Sequence, residues 1–402
     1  MCLARPRKAV TPSEVAAATS LGMTTPKGWS RRETPHKGNI MESSNVEQWK
    51  HEITAAAGAI PGTGQIVLME ICGTHTVAIR RSGLRALLPK RVRLVSGPGC
   101  PVCVTSQGVI DALVDMAGRD GVTVATFGDM IRVPGTHSSL ERQKAAGGRV
   151  AICYSVLDAL DLARKRPDQL VVFAAVGFET TAPGSAVAVE MARAQGLRNF
   201  AILSAHKWVI PAMDALLAGG EVRIDGFICP GHVSVIIGSR AYEPIAARYR
   251  RPCVVVGFSA EQVLAGVADI LKQLAAGEAR VGNVYADAVR PEGNPEALAR
   301  IHHVFEPAAA NWRGLGTIPA SGMGLRAEFA EFDAARRLGL PWPPSEADIS
   351  EHGCRCGDVI RGAIEPHECP LFGTACTPIH PIGPCMVSRE GSCQAEYKYG
   401  RA

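Results

Sequence analysis

The 402-residue chain has no long apolar run, and aromatic residues make up only 5% of it. Its most apolar stretch, residues 170–178, is about nine residues long, whereas a membrane-spanning helix needs roughly twenty. We therefore predict no membrane span. Arg31 and Arg32 form a twin-arginine pair with no apolar segment after it, so we do not expect export.

The main part of the chain also lacks an excess of charge. The net charge is +5, but residues 1–40 alone hold seven Lys/Arg and two Asp/Glu, so the remainder is neutral. A neutral body offers no basic surface to a nucleic acid, and we expect no such partner. Sustained helical periodicity begins only at Val46, so we predict a disordered basic tail over residues 1–45, with either Met1 or Met41 as the start.

Two common catalytic signatures are missing. The sequence has no Gly-rich phosphate loop and no Gly-x-Ser-x-Gly nucleophile elbow. These absences argue against a P-loop kinase and a serine hydrolase. The use of a nucleotide stays open, because unrelated folds bind nucleotides without these motifs.

Cysteine, by contrast, is abundant. Six of the thirteen cysteines fall in the last forty-nine residues, in a stretch rich in Gly and Pro: Cys354, Cys356, Cys369, Cys376, Cys385 and Cys393. Thiolates bind iron and zinc much better than they bind hard cations. The spacings do not repeat the paired C-x-x-C pattern of structural zinc sites, so they favour an iron–sulfur cluster, with structural zinc as the alternative. An odd cysteine total, together with cysteines in apolar segments, favours a reducing cytoplasm over a disulfide scaffold.

Four of the six cysteines would bind a cluster. Cys369 and Cys376 flank a short Gly-containing loop that can turn both sulfurs toward one centre. Cys354 and Cys356 are separated by a single residue, and we expect only one of them to bind. Cys385 and Cys393 compete for the last position.

A recurring unit organises the middle of the chain. Seven times a short β-branched run is followed by a Gly/Pro-rich turn with reactive side chains and then by an Ala/Leu-rich segment, as at residues 66–76, 92–103 and 170–184. This order is typical of βα units in a parallel sheet. We predict an α/β fold with two Rossmann-like lobes, residues 46–145 and 146–310, followed by a Cys-rich iron–sulfur domain over residues 311–402.

Polar side chains follow these predicted strands directly. They are Cys72, Thr74, His75, Cys100, Cys103, Asp129, Glu179, His206 and His232. Ligands of open parallel sheets bind beyond the carboxyl ends of the strands, so we predict that these side chains line one cleft.

Two of these turns carry thiols with distinct chemistry. Cys100 and Cys103 form a C-x-x-C pair at a strand-to-helix turn, which favours a reversible dithiol over zinc. Cys72 precedes a glycine, so we expect its sulfur to be approachable from solvent and its thiolate to be stabilised by His75. Cys72 would then be a nucleophile or a metal ligand. Cys153 and Cys253 lie within apolar runs and are predicted to be core residues.

Several long motifs occur together in one order. They are MEICGTHT (residues 69–76), SGPGCPVC (96–103), FGDMIRVPG (127–135), VGFETTAPG (176–184), CPGHVS (229–234) and the tail FGTACTP…PCMVS…GSC. This combination resembles the HypD family of [NiFe]-hydrogenase maturation factors over roughly residues 46–399. Matching motifs in the same order are far more specific than a single C-x-x-C pair.

The resemblance implies a scaffold on which the Fe(CN)2CO moiety of the hydrogenase is assembled. HypD-like proteins work with the chaperone HypC, receive cyanide from HypE with HypF, and serve the hydrogenase large subunit indirectly. By the family pattern, Cys72 holds the iron of this transient unit. His75 and the turn at residues 179–181 would belong to the cleft or to the partner surface. Cys100 and Cys103 form the thiol/disulfide couple, and a C-terminal [4Fe-4S] cluster is its electron relay.

The same pattern assigns the cluster to Cys354, Cys369, Cys376 and Cys393, with Cys356 and Cys385 as alternates. Two other functions remain open. One is a [4Fe-4S]-dependent thiol–disulfide reductase of protein substrates, and the other is a zinc-stapled interaction module without redox chemistry. Whether the protein has stand-alone turnover is also open.

Overall fold

The computed structural model describes residues 43–344 and 353–400. The tail that we predict to be disordered and the alternative start at Met41 therefore lie outside the described residues, apart from the start of the first helix. In the two described ranges no helix combines the length and the apolar character that crossing a membrane requires.

The strands in these ranges are β1 Ile66–Glu70, β2 Val92–Ser96, β3 Val122–Phe127, β4 Val150–Cys153, β5 Leu170–Gly177, β6 Phe200–His206, β7 Gly226–Pro230, β8 Cys253–Val256, β9 Val281–Asn283, β10 Phe305–Trp312 and β11 Gly316–Leu325. The α-helices are α1 Ser43–Ala59, α2 Gly73–Arg81, α3 Pro101–Val104, α4 Gln107–Ala117, α5 Leu140–Ala145, α6 Val156–Lys165, α7 Ala182–Ala194, α8 Val209–Gly219, α9 Gly231–Ile237, α10 Glu243–Tyr249, α11 Ala260–Ala275, α12 Pro295–Val304, α13 Ala334–Arg337, α14 Cys356–Ile360, α15 Pro384–Val387 and α16 Ser392–Tyr399. Single 3₁₀ turns occupy Leu84–Leu87, Gly128–Arg132, Ser239–Tyr242, Ala327–Phe332 and Pro366–Glu368.

Nine of these strands form two parallel sheets. One has five strands in the order β2-β1-β7-β8-β9, and the other has four in the order β4-β3-β5-β6. The central strands are buried on both faces, as β5 shows, and this burial explains their unbroken apolar sequences. The structure confirms the predicted α/β class with parallel sheets and includes the predicted Cys-rich C-terminal region.

The two sheets are interleaved along the chain. The chain leaves the five-stranded sheet after β2, builds all of the four-stranded sheet, and returns at β7. The range predicted for the first lobe, residues 46–145, thus holds strands of both sheets. The domain boundaries stay a prediction, because sheet membership alone does not define them.

An antiparallel hairpin, β10–β11, was not predicted from the sequence. It contacts the chain after β6 and the chain after α3. The backbone nitrogen of Trp208, just after β6, donates to Ser321 in this hairpin at 2.8 Å. At its tip, Trp312 is fully buried and bridges to Thr105 beyond α3. One continuous buried cluster includes side chains of both sheets, the hairpin and the Cys-rich segment.

Ion pairs fix the C-terminal segment to the five-stranded sheet. Glu365 lies 2.9 Å from Arg80, 3.0 Å from Arg85 and 3.6 Å from Arg93, and Arg80 also pairs with Glu396 on α16. Helix α16 packs on α2. The segment with the six cysteines is therefore held beside the helix that follows Cys72.

Candidate metal and thiol site

Cys72 lies two residues after the end of β1 and is the N-cap residue of α2. Its backbone is extended, with φ of −150°, so the chain turns sharply into the helix there. The backbone N–H groups of Thr74 and His75, in the first turn of this helix, act to lower the pKa of its thiol. These donors would stabilise negative charge on the sulfur, as the first turn of a helix does.

The Cys72 sulfur is buried, and the expectation of a solvent-approachable thiol is wrong. Only 7% of the residue is exposed, because Gly73 packs against Glu390 and the loop with Gly99 covers the other side. Burial, with a smaller contribution from the nearby carboxyl groups of Glu390 and Glu70, raises the pKa of the Cys72 thiol to about 12. The free thiol is therefore protonated at neutral pH.

His75 lies in the same turn but holds a different partner. Its Nε2 lies 2.9 Å from the carbonyl oxygen of Gly257 and 3.2 Å from that of Val256, so Nε2 carries the proton. Burial lowers the pKa of His75 to about 4, which makes the ring neutral. The Phe258 ring lies between His75 and His232. The Nε2 atom of the ring is thus held by main-chain carbonyl groups, and stabilisation of the Cys72 thiolate by His75 stays a prediction.

The C-x-x-C turn lies directly against the Cys72 turn. The backbone nitrogen of Gly73 donates to the carbonyl oxygen of Gly99 at 3.1 Å, and a Cβ on Gly99 would overlap the Cys72 backbone. Only glycine permits this approach of two backbones. Cys100 and Cys103 form a disulfide with a Cα–Cα distance of 5.2 Å, and the Cys103 N–H donates to the Cys100 sulfur at 3.3 Å.

The turn between α15 and α16 touches both of these thiol sites. The Ser388 hydroxyl lies 3.4 Å from the Cys100 sulfur, and the Thr74 hydroxyl donates to Glu390 at 2.8 Å. Ser388 is buried. Cys385 and Cys393 flank this turn in sequence, so the cysteine-rich segment approaches the thiol pair through a three-residue stretch.

Four of the C-terminal sulfurs contact one another in a row. The Cys356 side chain contacts those of Cys354 and Cys385, and Cys385 contacts Cys393. Hydrogen bonds from Cys354 and Cys385 hold the pKa of Cys356 well below its usual range, with Arg313 adding to the effect. The same contacts, together with burial, raise the pKa of Cys354 and of Cys385.

Cys369 and Cys376 lie on the adjoining loop. The backbone of this loop is closed by a hydrogen bond of 2.8 Å from Cys376 to Leu371 and one of 3.1 Å from Gly373 back to Cys376. The Ile382 N–H donates to the Cys376 sulfur at 3.3 Å. Burial raises the pKa of the Cys376 thiol, and the nearby thiols of Cys393 and Cys369 add to this effect.

This donor set fits an iron–sulfur cluster in its chemistry. All six side chains are thiols, five of them buried and Cys354 partly buried, and Cys376 already accepts a backbone N–H as cluster-bound sulfurs do. Gly383 lets the chain pass the sulfurs, because a Cβ there would lie 2.6 Å from Cys354 Sγ. Across residues 43–344 and 353–400, however, no three His, Cys, Asp or Glu side chains stand in a preformed metal-binding arrangement. The fit rests on donor type and proximity.

The remaining cleft residues divide between the sheets. Glu179 follows β5 and accepts a hydrogen bond from the Val209 N–H at 2.9 Å, while His206 is the last residue of β6 and lies 3.5 Å from the Thr181 hydroxyl. Both are buried. Burial raises the pKa of Glu179 to about 7 and lowers that of His206 to about 4. Asp129 lies in the 3₁₀ turn after β3. No hydrogen bond in the described ranges joins these three to Cys72, which lies with His75 and His232 at the edge of the other sheet.

Sequence reasoning missed four side chains of the site. They are Ser388, Glu390, Glu365 and Arg313. Arg313 is buried, donates to Thr105 and Gln107 just after the C-x-x-C helix, and lowers the pKa of Cys356. A buried Arg and two Glu residues beside cysteine motifs carry no signal of their own until the fold brings the segments together.

Comparison with known proteins agrees with the resemblance. A family model labelled HypD and described as "Hydrogenase formation hypA family" matches residues 44–400. The hydrogenase maturation factor HypD of Azotobacter vinelandii is 44% identical over 344 residues, which cover 84% of this chain and 90% of the relative. HypD of Escherichia coli K12 is 43% identical over 333 residues, covering 83% and 88%.

An archaeal relative shows similar agreement. A putative hydrogenase expression/formation protein of Methanocaldococcus jannaschii is 43% identical over 340 residues, covering 84% of this chain and 93% of that protein. The chain belongs to the HypD family of hydrogenase maturation factors.

Proposed function

We propose that the chain is a scaffold on which the Fe(CN)2CO unit of [NiFe]-hydrogenase is assembled. It acts in the cytoplasm with a HypC-type chaperone and accepts cyanide from a donor group made on HypE with the help of HypF. It serves the hydrogenase large subunit indirectly. The observation that carries the proposal is the contact between two thiol turns. The Gly73–Gly99 hydrogen bond brings the turn with Cys72 against the turn with Cys100 and Cys103.

The iron unit is the cargo, and Cys72 is its ligand on this chain. Low-spin iron with cyanide and CO prefers soft thiolate donors. The Cys72 thiol loses its proton when iron binds, and the N–H groups of Thr74 and His75 then stabilise the thiolate. The neutral His75 ring, held by Gly257, keeps this turn in place.

Cys100 and Cys103 supply the two electrons that cyanide release requires. Cyanide carried as a thiocyanate on the donor is freed when the donor S–C bond breaks with uptake of two electrons. The two thiols lose two electrons and two protons as their S–S bond forms; the donor becomes a thiol with one proton, and the other leaves with the cyanide. The disulfide in the structure corresponds to the oxidised member of this couple.

The cysteine-rich segment holds a [4Fe-4S] cluster in this proposal. Its ligands are Cys354, Cys369, Cys376 and Cys393, with Cys356 and Cys385 as alternates. When bound, such a cluster supplies electrons one at a time. The Ser388 contact to Cys100 supports a position of this segment beside the thiol pair.

Infrared spectroscopy tests the proposal. The chain is co-expressed with a HypC-type partner, purified without oxygen, and measured in the region of metal-bound CO and cyanide stretches. Bands for both ligands that shift with isotopic labelling are expected. Cys72→Ala should lose these bands and keep the brown colour of the cluster, whereas Cys153→Ala, on β4 of the other sheet, should keep both.

Two results would contradict the scaffold function. One is an unchanged iron–cyanide band in Cys72→Ala. The other is a brown, iron-replete wild-type complex without CO or cyanide bands, which would favour the thiol–disulfide reductase and would be followed by turnover assays on a thioredoxin-like substrate.

A further inference from the structure

A cavity of about 380 Å³ lies between two loops away from Cys72. One wall is the stretch 132–142, which follows β3, and the other is the stretch 375–382 of the cysteine-rich segment. Its volume is within the range of small-molecule sites, roughly 300 to 1,000 Å³. The role of this cavity does not depend on the proposed scaffold function.

Four of the residues around the cavity carry a guanidinium or imidazole group. Arg132, His137, Arg142 and His380 line it, and Glu141 is the one carboxylate among the described lining residues. Arg142 forms no ion pair with a described residue, whereas Arg80, Arg300 and Arg361 each pair with a carboxylate. Two guanidinium groups and two imidazoles facing one cavity favour an anion, since arginine matches the oxygens of carboxylates and phosphates in pairs.

The first wall is built rigidly. Asp111 on α4 accepts hydrogen bonds of 2.6 Å from both the backbone nitrogen and the hydroxyl of Thr136. The Gly135 nitrogen donates to Ser138 at 2.7 Å, and a Cβ on Gly135 would lie 2.6 Å from the Asp111 carboxylate. The loop is thus fixed from behind, and none of these three hydrogen bonds uses the side chain of Arg132 or Arg142.

The two walls are joined, and the second wall adds apolar surface. Arg132 donates to the Pro378 carbonyl oxygen at 2.8 Å. Ile379, which is 78% exposed, and Ile382 line the cavity together with Pro134. An exposed isoleucine in a cavity that two arginines also line is suited to a ligand with an apolar body and a charged group.

We propose that this cavity binds a small organic anion, whose carboxylate or phosphate group lies between Arg132 and Arg142 and whose apolar part contacts Ile379. Ile382 also donates its N–H to the Cys376 sulfur. A ligand in the cavity therefore contacts the same loop that orders a cysteine of the C-terminal cluster segment, and binding should stabilise that loop.

Isothermal titration calorimetry on the full-length purified protein tests this site. The probes are benzoate and phenyl phosphate, with benzamide as the neutral counterpart of benzoate. Saturable binding of one or both anions is expected, with no binding of benzamide, and the tighter anion identifies the preferred group. Arg142→Met should weaken this binding at least tenfold, while Arg198→Met, an exposed arginine outside the cavity, should bind as the wild type does.

Amide hydrogen exchange provides the second measurement. Bound anion should slow exchange in residues 375–382 of the wild type and leave it unchanged in Arg142→Met. Three results would overturn the proposal: no saturable binding of either anion, equal binding of benzamide, or wild-type affinity in Arg142→Met. Because Arg142 is exposed, circular dichroism of the variant should match the wild type, so that a loss of binding reports the site and not unfolding.

Discussion

The amide nitrogen of Gly73 lies 3.1 Å from the carbonyl oxygen of Gly99, and this hydrogen bond joins two turns that each end a neighbouring strand. A single pair of main-chain atoms thereby sets the separation of the Cys72 and Cys100 turns. Since β1 and β2 are adjacent and in parallel register, both turns leave the sheet at the same edge.

Gly99→Ala should disturb this arrangement. The added methyl group would overlap the Cys72 backbone, so the turns must separate. We expect a loss of about 1–3 kcal/mol in the free energy of unfolding, typical of overpacking, and weaker iron–cyanide bands in the complex with the HypC-type partner. Gly128→Ala is the matched control, because its nearest neighbour would be an Ile152 methyl at 3.9 Å. Equal stability and equal bands in both variants would contradict the role assigned to this contact.

Single Cys→Ser changes should separate the cluster ligands from the alternates. In Cys354, Cys369, Cys376 and Cys393 variants we expect iron and sulfide content and the brown absorption to fall to less than half of wild type, because a hydroxyl is a poorer iron ligand than a thiolate. Cys356→Ser and Cys385→Ser should retain most of both. A retained cluster in Cys376→Ser would count against the proposed set of ligands, since Cys376 and Cys369 flank the loop that should turn both sulfurs toward one centre.

Glu365→Gln should loosen the C-terminal segment. The carboxylate lies within 3.0 Å of two arginines, and these guanidinium groups hold its pKa below the usual value. Removing one partner of a largely buried ion network leaves charge uncompensated, and we expect a loss of about 2 kcal/mol in denaturant unfolding. Glu221→Gln removes an exposed partner of Arg361 and should cost less than about 0.5 kcal/mol. Similar losses of unfolding free energy in the two variants would contradict the stabilising role assigned to the Glu365 ion pairs.

Glu179→Gln should change how stability depends on pH. Burial raises the pKa of Glu179 to about 7 from 4.5, so the folded state holds this proton more tightly than the unfolded state does. The contribution is full below about pH 4.5 and is lost as pH rises through about 7. From pH 5 to pH 8, the wild type should lose about 2–3 kcal/mol relative to the variant, as measured by urea unfolding.

The pH comparison contains its own control. Burial lowers the pKa of His206 to about 4, and that side chain gives the opposite slope, with stability lost as pH falls toward 4. This contribution is present in both proteins and cancels in the difference. Parallel stability curves for the two proteins would mean that Glu179 ionises normally in the fold.

The sequence predicted the parallel strands well for a physical reason. Strands buried on both faces need unbroken β-branched runs, and each of the seven predicted runs is a strand, including residues 66–70 and 170–177. Short or atypical strands escaped prediction. The hairpin strand Phe305–Trp312 begins FEP and continues with three alanines, a composition that favours no strand.

The site was predictable in its residue types and not in its environment. The motifs identified Cys72 and the Cys100–Cys103 pair, but a glycine after Cys72 was interpreted as exposure. In the structure Glu390 packs against that glycine, Gly73, and Gly99 packs against the Cys72 backbone, so that Cys72 is covered on both sides. Contacts between residues more than 300 positions apart, such as Thr74 and Glu390, leave no local pattern in a sequence.

The interleaved order of the two sheets has a consequence for synthesis of the protein. Residues 122–206 contain every strand of the four-stranded sheet, so that sheet can pair while later residues are still being translated. The strand before Cys72 gains its second neighbour only with β7, and Val67 meets Asp225 across 158 residues. Its helix meets Glu390 later still. A nascent chain on the ribosome therefore lacks a finished Cys72 pocket until nearly the whole polypeptide has emerged.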